Sequence, residues 1–165
     1  MAISIRNSQP RRVRTRRLRA AARQALRAEG AESAEVSILL ADDPTVHALN
    51  RDYRHQDKPT DVLSFSQRES RDAHAPPPPA GLGPEILGDV VISVDAAARQ
   101  AQQFGVTLED ELALLAVHGI LHLLGEEDET EEGAERMRTK ETAVLAATGI
   151  ASRRSGTPET DAEPR

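Results

Sequence analysis

The stretch His118-Gly119-Ile120-Leu121-His122-Leu123-Leu124-Gly125-Glu126-Glu127-Asp128 constrains this chain more than any other. Two histidines stand four positions apart in an otherwise apolar run. On a helix, that interval puts both imidazoles on one face, one turn above the other. Gly125 follows at the third position after His122, where a helix would end in the left-handed conformation that glycine accepts. The chain can then turn back, and Asp128 is spaced to arrive as a third ligand beside the two rings. Two imidazoles and a carboxylate suit a divalent metal ion. The plain alternative is a pair of polar residues on a helix with nothing between them.

Upstream, Thr107-Leu108-Glu109-Asp110 reads as a capping-box start for a helix that runs to Leu124. Leu112, Leu115, Ala116 and Leu123 give it a mostly apolar surface, so it is predicted to be the buried central helix. Imidazoles on a buried helix need polar partners, and a metal supplies one for each. The spacing H-x-x-x-H-x-x-G-x-x-ligand is also that of the metzincin metalloproteases. Those enzymes carry a glutamate directly after the first histidine as general base, and here that position is Gly119. A peptidase reading loses its base, whereas the metal site survives. Glu126 or Glu127 is the alternative third ligand, and the spacing favours Asp128.

The rest of the chain builds a setting for this helix. A length of 165 residues suggests one domain with a real core, over about residues 1–150. Residues 3–7 alternate as a short strand, Pro10 breaks it, and residues 11–28 are predicted as a helix with Leu18, Ala21, Ala22, Ala25 and Leu26 on one face. Residues 35–40 read as a central strand. Asp43, as cap, and Pro44 open a helix to about Arg54 with Val46, Leu49 and Tyr53 inward. A polar loop, Tyr53 to Asp61, leads to a third strand at 62–65. Residues 67–87 are predicted as an inserted surface loop, stiffened by Pro76 to Pro79 and carrying a solvated His74. Residues 88–93 make a fourth strand. Asp95 caps a helix over 96–104, which Gly105 ends. A last helix covers about 131–148 with Ala134, Met137, Val144 and Leu145 inward, and residues 151–165 are predicted as a disordered tail. The expectation is an α+β fold with a small mixed sheet of about four strands and about five helices, its strand order open.

Composition excludes several classes. Cysteine is absent, so there are no disulfides and metal ligands must be His, Asp or Glu. No apolar run approaches the roughly 18 residues of a membrane span, and no signal-like segment opens the chain, so a soluble cytoplasmic protein is expected. Aromatic residues are 2% of the chain, which argues against a base-stacking platform for nucleic acid. The net charge of −6 hides an asymmetry. Residues 1–28 hold nine arginines and no acid, a basic end that is either a phosphate-binding surface or a solvated helix face. Residues 126–141 hold eight acids, read as a solvated helix start with a placed role for Asp128 alone.

Three blocks in order resemble the YbeY family of bacterial endoribonucleases: Leu49 to Phe65, Leu87 to Ser93 and His118 to Gly125. The resemblance covers about residues 35–148. It implies a metal-dependent, single-strand-preferring endoribonuclease acting in ribosomal RNA maturation, notably at the 3′ end of 16S rRNA, and in ribosome quality control. It implies zinc as cofactor, RNA and the 30S subunit or 70S ribosome as partners, and a catalytic arginine that falls on Arg54. Without the family, Arg54 reads as a surface ion pair to Asp57 or Asp61. Lys58 is a weaker phosphate candidate, and His47 and His55 read as surface histidines. The family's third ligand is a histidine in a Tyr-Asp-His ending, which is Glu126-Glu127-Asp128 here. A carboxylate remains an acceptable zinc ligand, and oxygen ligation shifts preference toward Mn²⁺ or Mg²⁺. The rival reading is a non-catalytic ribosome-assembly or RNA-binding factor whose metal site is structural or lost.

Overall fold

The computed structural model describes residues 2–67 and 85–150. The Pro-rich segment with His74 and the C-terminal tail therefore lie outside the described residues, apart from the ends of the predicted loop. Strand β1 (Ala2–Asn7) leads to helix α1 (Arg16–Ala28), strand β2 (Glu35–Ala41) and helix α2 (Asp43–Arg54). Strands β3 (Val62–Ser66) and β4 (Ile86–Ser93) follow, then helices α3 (Val94–Phe104), α4 (Leu108–Leu123) and α5 (Glu131–Ala147). The strands form one mixed sheet in the order β1-β2-β4-β3. β1 and β2 are parallel, as are β2 and β4, and β3 runs antiparallel on the edge. This is the expected α+β domain.

The alternation of each strand separates the two faces of the sheet. Ile3, Val36, Ile38, Leu40, Val90 and Ile92 point into the main core with α1 and α4. The opposite face carries a much smaller cluster, in which Val46 of α2 meets Ala41, Leu63 and Val91. Helix α4 is buried nearly all round, from Asp110 to Val117 and again at Gly119 to Leu121, as its composition requires. Thr107 caps it by accepting from the Asp110 amide at 3.1 Å. Gly119 lies close against the sheet: a Cβ there would lie 2.6 Å from Val90 Cγ1. That contact explains physically why the position after the first histidine holds no side chain.

Four local expectations change. Helix α1 starts at Arg16, five residues later than predicted. The side chains of Asn7 and Gln9 bond the Arg11 carbonyl, and Gln9 also accepts from the Arg11 amide, which ties that segment to a local turn. Asp42, one residue earlier than expected, caps α2 by accepting from Thr45 N at 3.0 Å. Ser93 rather than Asp95 caps α3. Asp95 is instead turned toward α2, accepting from the Asp43 amide at 2.9 Å, while Asp43 accepts from Ser93 Oγ at 2.6 Å. The two helix starts thus cap one another across the sheet end. Tyr53, predicted inward, is 68% exposed, because the small cluster under α2 is already closed by Val46 and Leu49. Among the described residues no helix is long and apolar enough to cross a membrane.

Candidate metal centre

The last turns of α4 carry His118 and His122 on one face, with ring centroids 4.6 Å apart and planes at 81°. The helix then stops in a Schellman closure: the Glu126 amide donates to the Leu121 carbonyl and the Gly125 amide to the His122 carbonyl. Gly125 takes φ +99°, where a side chain would be strained. The reversal returns the chain toward the two rings and sets Asp128 beside them.

His118, His122 and Asp128 each direct one ligand atom into a common space, all within 4.8 Å of one another. The two Nε2 atoms are 3.1 Å apart, and Asp128 Oδ2 is 3.4 Å from His118 Nε2 and 3.6 Å from His122 Nε2. A tetrahedral ion with bonds of about 2.0–2.1 Å keeps its ligand atoms roughly 3.3–3.4 Å from each other. The three donors already have that spacing, so the residues present fit a metal ion.

The far nitrogens fix the tautomers. His118 Nδ1 donates to Glu141 Oε1 at 2.6 Å, and His122 Nδ1 donates to the Glu126 carbonyl at 2.9 Å. Each ring then presents the Nε2 lone pair inward. Two lone pairs facing at hydrogen-bond distance repel unless a cation lies between them. When the rings carry protons in place of an ion, the contact with His118 first, and then the charges of His122 and His118, hold the Asp128 carboxyl down to about 2 against the opposing effect of burial. It is a carboxylate at neutral pH. The side chain of Asp128 is 45% exposed against 14% for His118, so the centre opens to solvent on the aspartate side.

The alternative carboxylates are occupied elsewhere. Glu126 bonds Lys140 Nζ at 2.7 Å and Arg136 Nε at 3.2 Å. Glu127 accepts from Thr130 Oγ1 at 2.6 Å and from the Glu129 and Thr130 amides, bracing the start of α5. The solvated reading of residues 126–141 is therefore corrected: Glu141 is fully buried against His118, and Glu126 and Glu127 hold the turn. Sequence reasoning missed Glu141. Its one signal was a carboxylate sharing the inner face of α5 with Met137, Val144 and Leu145.

Arg54 ends α2, and its guanidinium donates to the Ser64 carbonyl and lies 5.6 Å from the centre of the Phe65 ring. Ser64 Oγ in turn donates to the carbonyl of Gly119, the residue after His118, at 2.9 Å. Arg54 thus reaches from α2 to the edge strand that packs against the histidine-bearing turn. Asp57, one of the two partners expected for Arg54, pairs with His47 at 2.7 Å. His55 is exposed and closes α2 at φ 57°, and Lys58 is exposed.

A mixed four-stranded sheet with a buried helix presenting two histidines, and an aspartate from its closing turn beside them, defines an α+β protein with a candidate metal centre. The family model described as Endoribonuclease YbeY matches residues 3–149. The chain is 53% identical over 127 residues to Endoribonuclease YbeY of Pelotomaculum thermopropionicum, covering 76% of this chain and 80% of that one. It is 49% identical over 127 residues to Endoribonuclease YbeY of Moorella thermoacetica, covering 74% and 79%. A Thermotoga maritima protein solved in solution shares the fold, with a TM-score of 0.56 at 23% identity over 96% of this chain and 99% of that one. The chain belongs to the YbeY endoribonuclease family.

Proposed function

We propose that this chain is a metal-dependent endoribonuclease that cleaves single-stranded RNA in ribosomal RNA maturation, at the 3′ end of 16S rRNA, and in ribosome quality control. Its partners on this reading are RNA and the 30S subunit or 70S ribosome, in the cytoplasm. The observation that carries it is the preset triangle of His118 Nε2, His122 Nε2 and Asp128 Oδ2, with both histidine tautomers fixed from behind. Zinc is the ion we assign, since four-coordinate nitrogen and oxygen ligation suits it.

When bound, the ion supplies Lewis acidity toward a phosphodiester oxygen and toward water. The residues do the rest. Glu141 holds His118 in the ligating tautomer and raises the basicity of its Nε2. The Glu126 carbonyl does the same for His122. Arg54 donates to a non-bridging oxygen of the scissile phosphate and offsets the charge that grows there. Its guanidinium is held near the Phe65 ring and by the Ser64 carbonyl, which lowers the entropy lost on binding.

The test is cleavage of a labelled single-stranded RNA by wild type, His118→Ala and Arg54→Ala, with metal content measured on each. Wild type should cut with one bound ion, His118→Ala should lose both ion and cutting, and Arg54→Ala should keep the ion and lose about 10²-fold or more in rate. Wild type that holds the ion and binds RNA without cutting it would leave a non-catalytic assembly factor instead.

A further inference from the structure

Among the described residues, the sheet face opposite α4 is only partly covered. Helix α2 lies over one end of it through Val46 and Leu49. Beyond α2 is an open groove of about 640 Å³, lined by Ser4, Arg6, Ser37, Leu39, Tyr53, Phe65, Asp89 and Val91 among others. Parallel strands are normally covered on both faces, and here β1, β2 and β4 are parallel beneath this opening. The strand registers place Ser4, Ser37, Asp89 and Phe65 side by side as one row crossing all four strands. At strand spacings of about 4.8 Å, that row is roughly 14 Å long.

Its chemistry is uneven along its length. The β3 end carries an aromatic pair, Tyr53 and Phe65, with ring centroids 5.9 Å apart at 78°. The chain has one tyrosine, two phenylalanines and no tryptophan, so two of its three large rings meet in this groove. The low aromatic count argued against a base-stacking platform, but placement decides such a platform, and Tyr53 is 68% exposed with its ring free to be covered. The Arg54 guanidinium lies over Phe65 at this end, 5.6 Å from the ring centre. At the other end, Arg6 lines the groove from β1, followed by the exposed Arg11, Arg12 and Arg14. The middle holds two exposed serine hydroxyls and the Asp89 carboxylate. A carboxylate repels phosphate but accepts from the exocyclic amines of bases, so it favours a strand lying bases-down.

We propose that this groove binds single-stranded RNA, with bases stacked on Tyr53 and Phe65, base edges over Ser37 and Asp89, and phosphates held by Arg6 at one end and Arg54 at the other. The inference rests on the endoribonuclease reading and extends it. Arg54 reaches from α2 to the carbonyl of Ser64 on β3, the edge strand whose Ser64 hydroxyl bonds the histidine-bearing turn, so RNA leaving the groove at β3 would round that edge toward the candidate metal centre. Stacking is indifferent to base identity, which suits a single-strand preference with loose sequence demands.

Tyr53 is the sole tyrosine and no tryptophan is present, so intrinsic fluorescence reports on this one ring. The experiment titrates the full chain, zinc supplied, with a fluorescein-labelled, 2′-O-methylated ten-nucleotide RNA of mixed sequence. Affinity is read by anisotropy, and Tyr53 emission is read in parallel with unlabelled RNA, corrected for RNA absorbance. The RNA is checked for intactness on a gel. Saturating RNA should quench Tyr53. Tyr53→Ala should weaken binding by about 5-fold or more, and Tyr53→Phe should bind like wild type. Arg6→Ala should weaken binding and flatten the logarithmic salt dependence by about 0.7. Unquenched Tyr53 at saturation, wild type that binds no RNA, or wild-type affinity in both Tyr53→Ala and Arg6→Ala would overturn the proposal. A groove built for a polypeptide gives the last of these results. Cleavage by wild type alongside unaltered binding in both variants sinks the groove and leaves the nuclease. Quenched, Tyr53-dependent binding of RNA that the unmodified chain never cuts sinks the nuclease and leaves the groove.

Discussion

Glu141 backs the candidate metal centre through His118 without touching the place an ion would occupy. Its carboxylate is fully buried and bonds His118 Nδ1 at 2.6 Å. Glu141→Gln keeps the shape and removes the charge, so the metal dissociation constant should rise about 10–100-fold, read by competition with a chelating dye. Unchanged affinity would show that the charge behind His118 is irrelevant. Asp128 is tested in the opposite direction: Asp128→Ala should weaken zinc, while Asp128→His should tighten zinc relative to Mn²⁺, since nitrogen is the softer donor. Metal titrations that rank the two variants alike would remove Asp128 from the ligand set. Gly119→Ala should cost about 1–3 kcal/mol, seen as a lowered thermal midpoint, because the new methyl meets Val90. The three inward groups were legible because they lie on one helix and its closing turn, where spacing alone fixes position. Glu141 was not, because it stands 23 residues beyond His118 and reaches it only through packing of α5 on α4.

At the scale of elements, the turn from Gly125 to Thr130 is held by α5 as well as by the bonds of its own Glu127. Lys140 and Arg136 pin the Glu126 side chain, and the Glu126 carbonyl orients His122. Lys140 also reaches Glu29 beyond the end of α1, at 2.9 Å, so one ammonium joins three elements. Lys140, and then Arg136, hold the Glu126 carboxyl below its ordinary value. A depressed folded value means a contribution present above the unfolded carboxyl range and lost as pH falls through the folded one. Glu126→Gln should therefore lower the thermal midpoint at pH 7 by about 1–4 °C, from a pair worth up to about 1 kcal/mol, and by much less at pH 3. Melts of metal-free wild type and variant at both values check this. An equal difference at both pH values would show that the charge of Glu126 contributes nothing. The acidic run resisted reading because its members look alike in sequence. Only the reversal at Gly125 and the buried face of α5 decide which of them turn inward. Helix starts were misplaced for a related reason: Asp42, Asp43, Ser93 and Asp95 are all good caps, and the mutual packing of α2 and α3 selects among them.

For the whole molecule, the candidate metal centre sits where α4 meets the edge strand β3 and α5. The apolar patterns of α1, α4 and the strands were enough to read an α+β core. The order β1-β2-β4-β3 was not, because it depends on β4 pairing with β2 on one side and β3 on the other, which no local pattern encodes. The consequence is that α4 is clamped between the sheet and α5, with its histidine turn at the junction. An ion held by His118, His122 and Asp128 ties α4 to the turn that leads into α5, and the unfolded chain has no such preset triangle. Binding to the folded form alone adds about 2.7 kcal/mol when free zinc is a hundredfold above its dissociation constant. For a chain of this size that should raise the thermal midpoint by about 5–10 °C, reversed by a chelator. A chain with both His118→Ala and His122→Ala should melt at one temperature with or without zinc. A wild-type midpoint that ignores zinc and chelator alike, in a protein shown to hold the ion, would mean that the unfolded chain binds it as well as the folded one. In that case the convergence of the three donors would contribute nothing to affinity, and the preset triangle could no longer carry the functional reading.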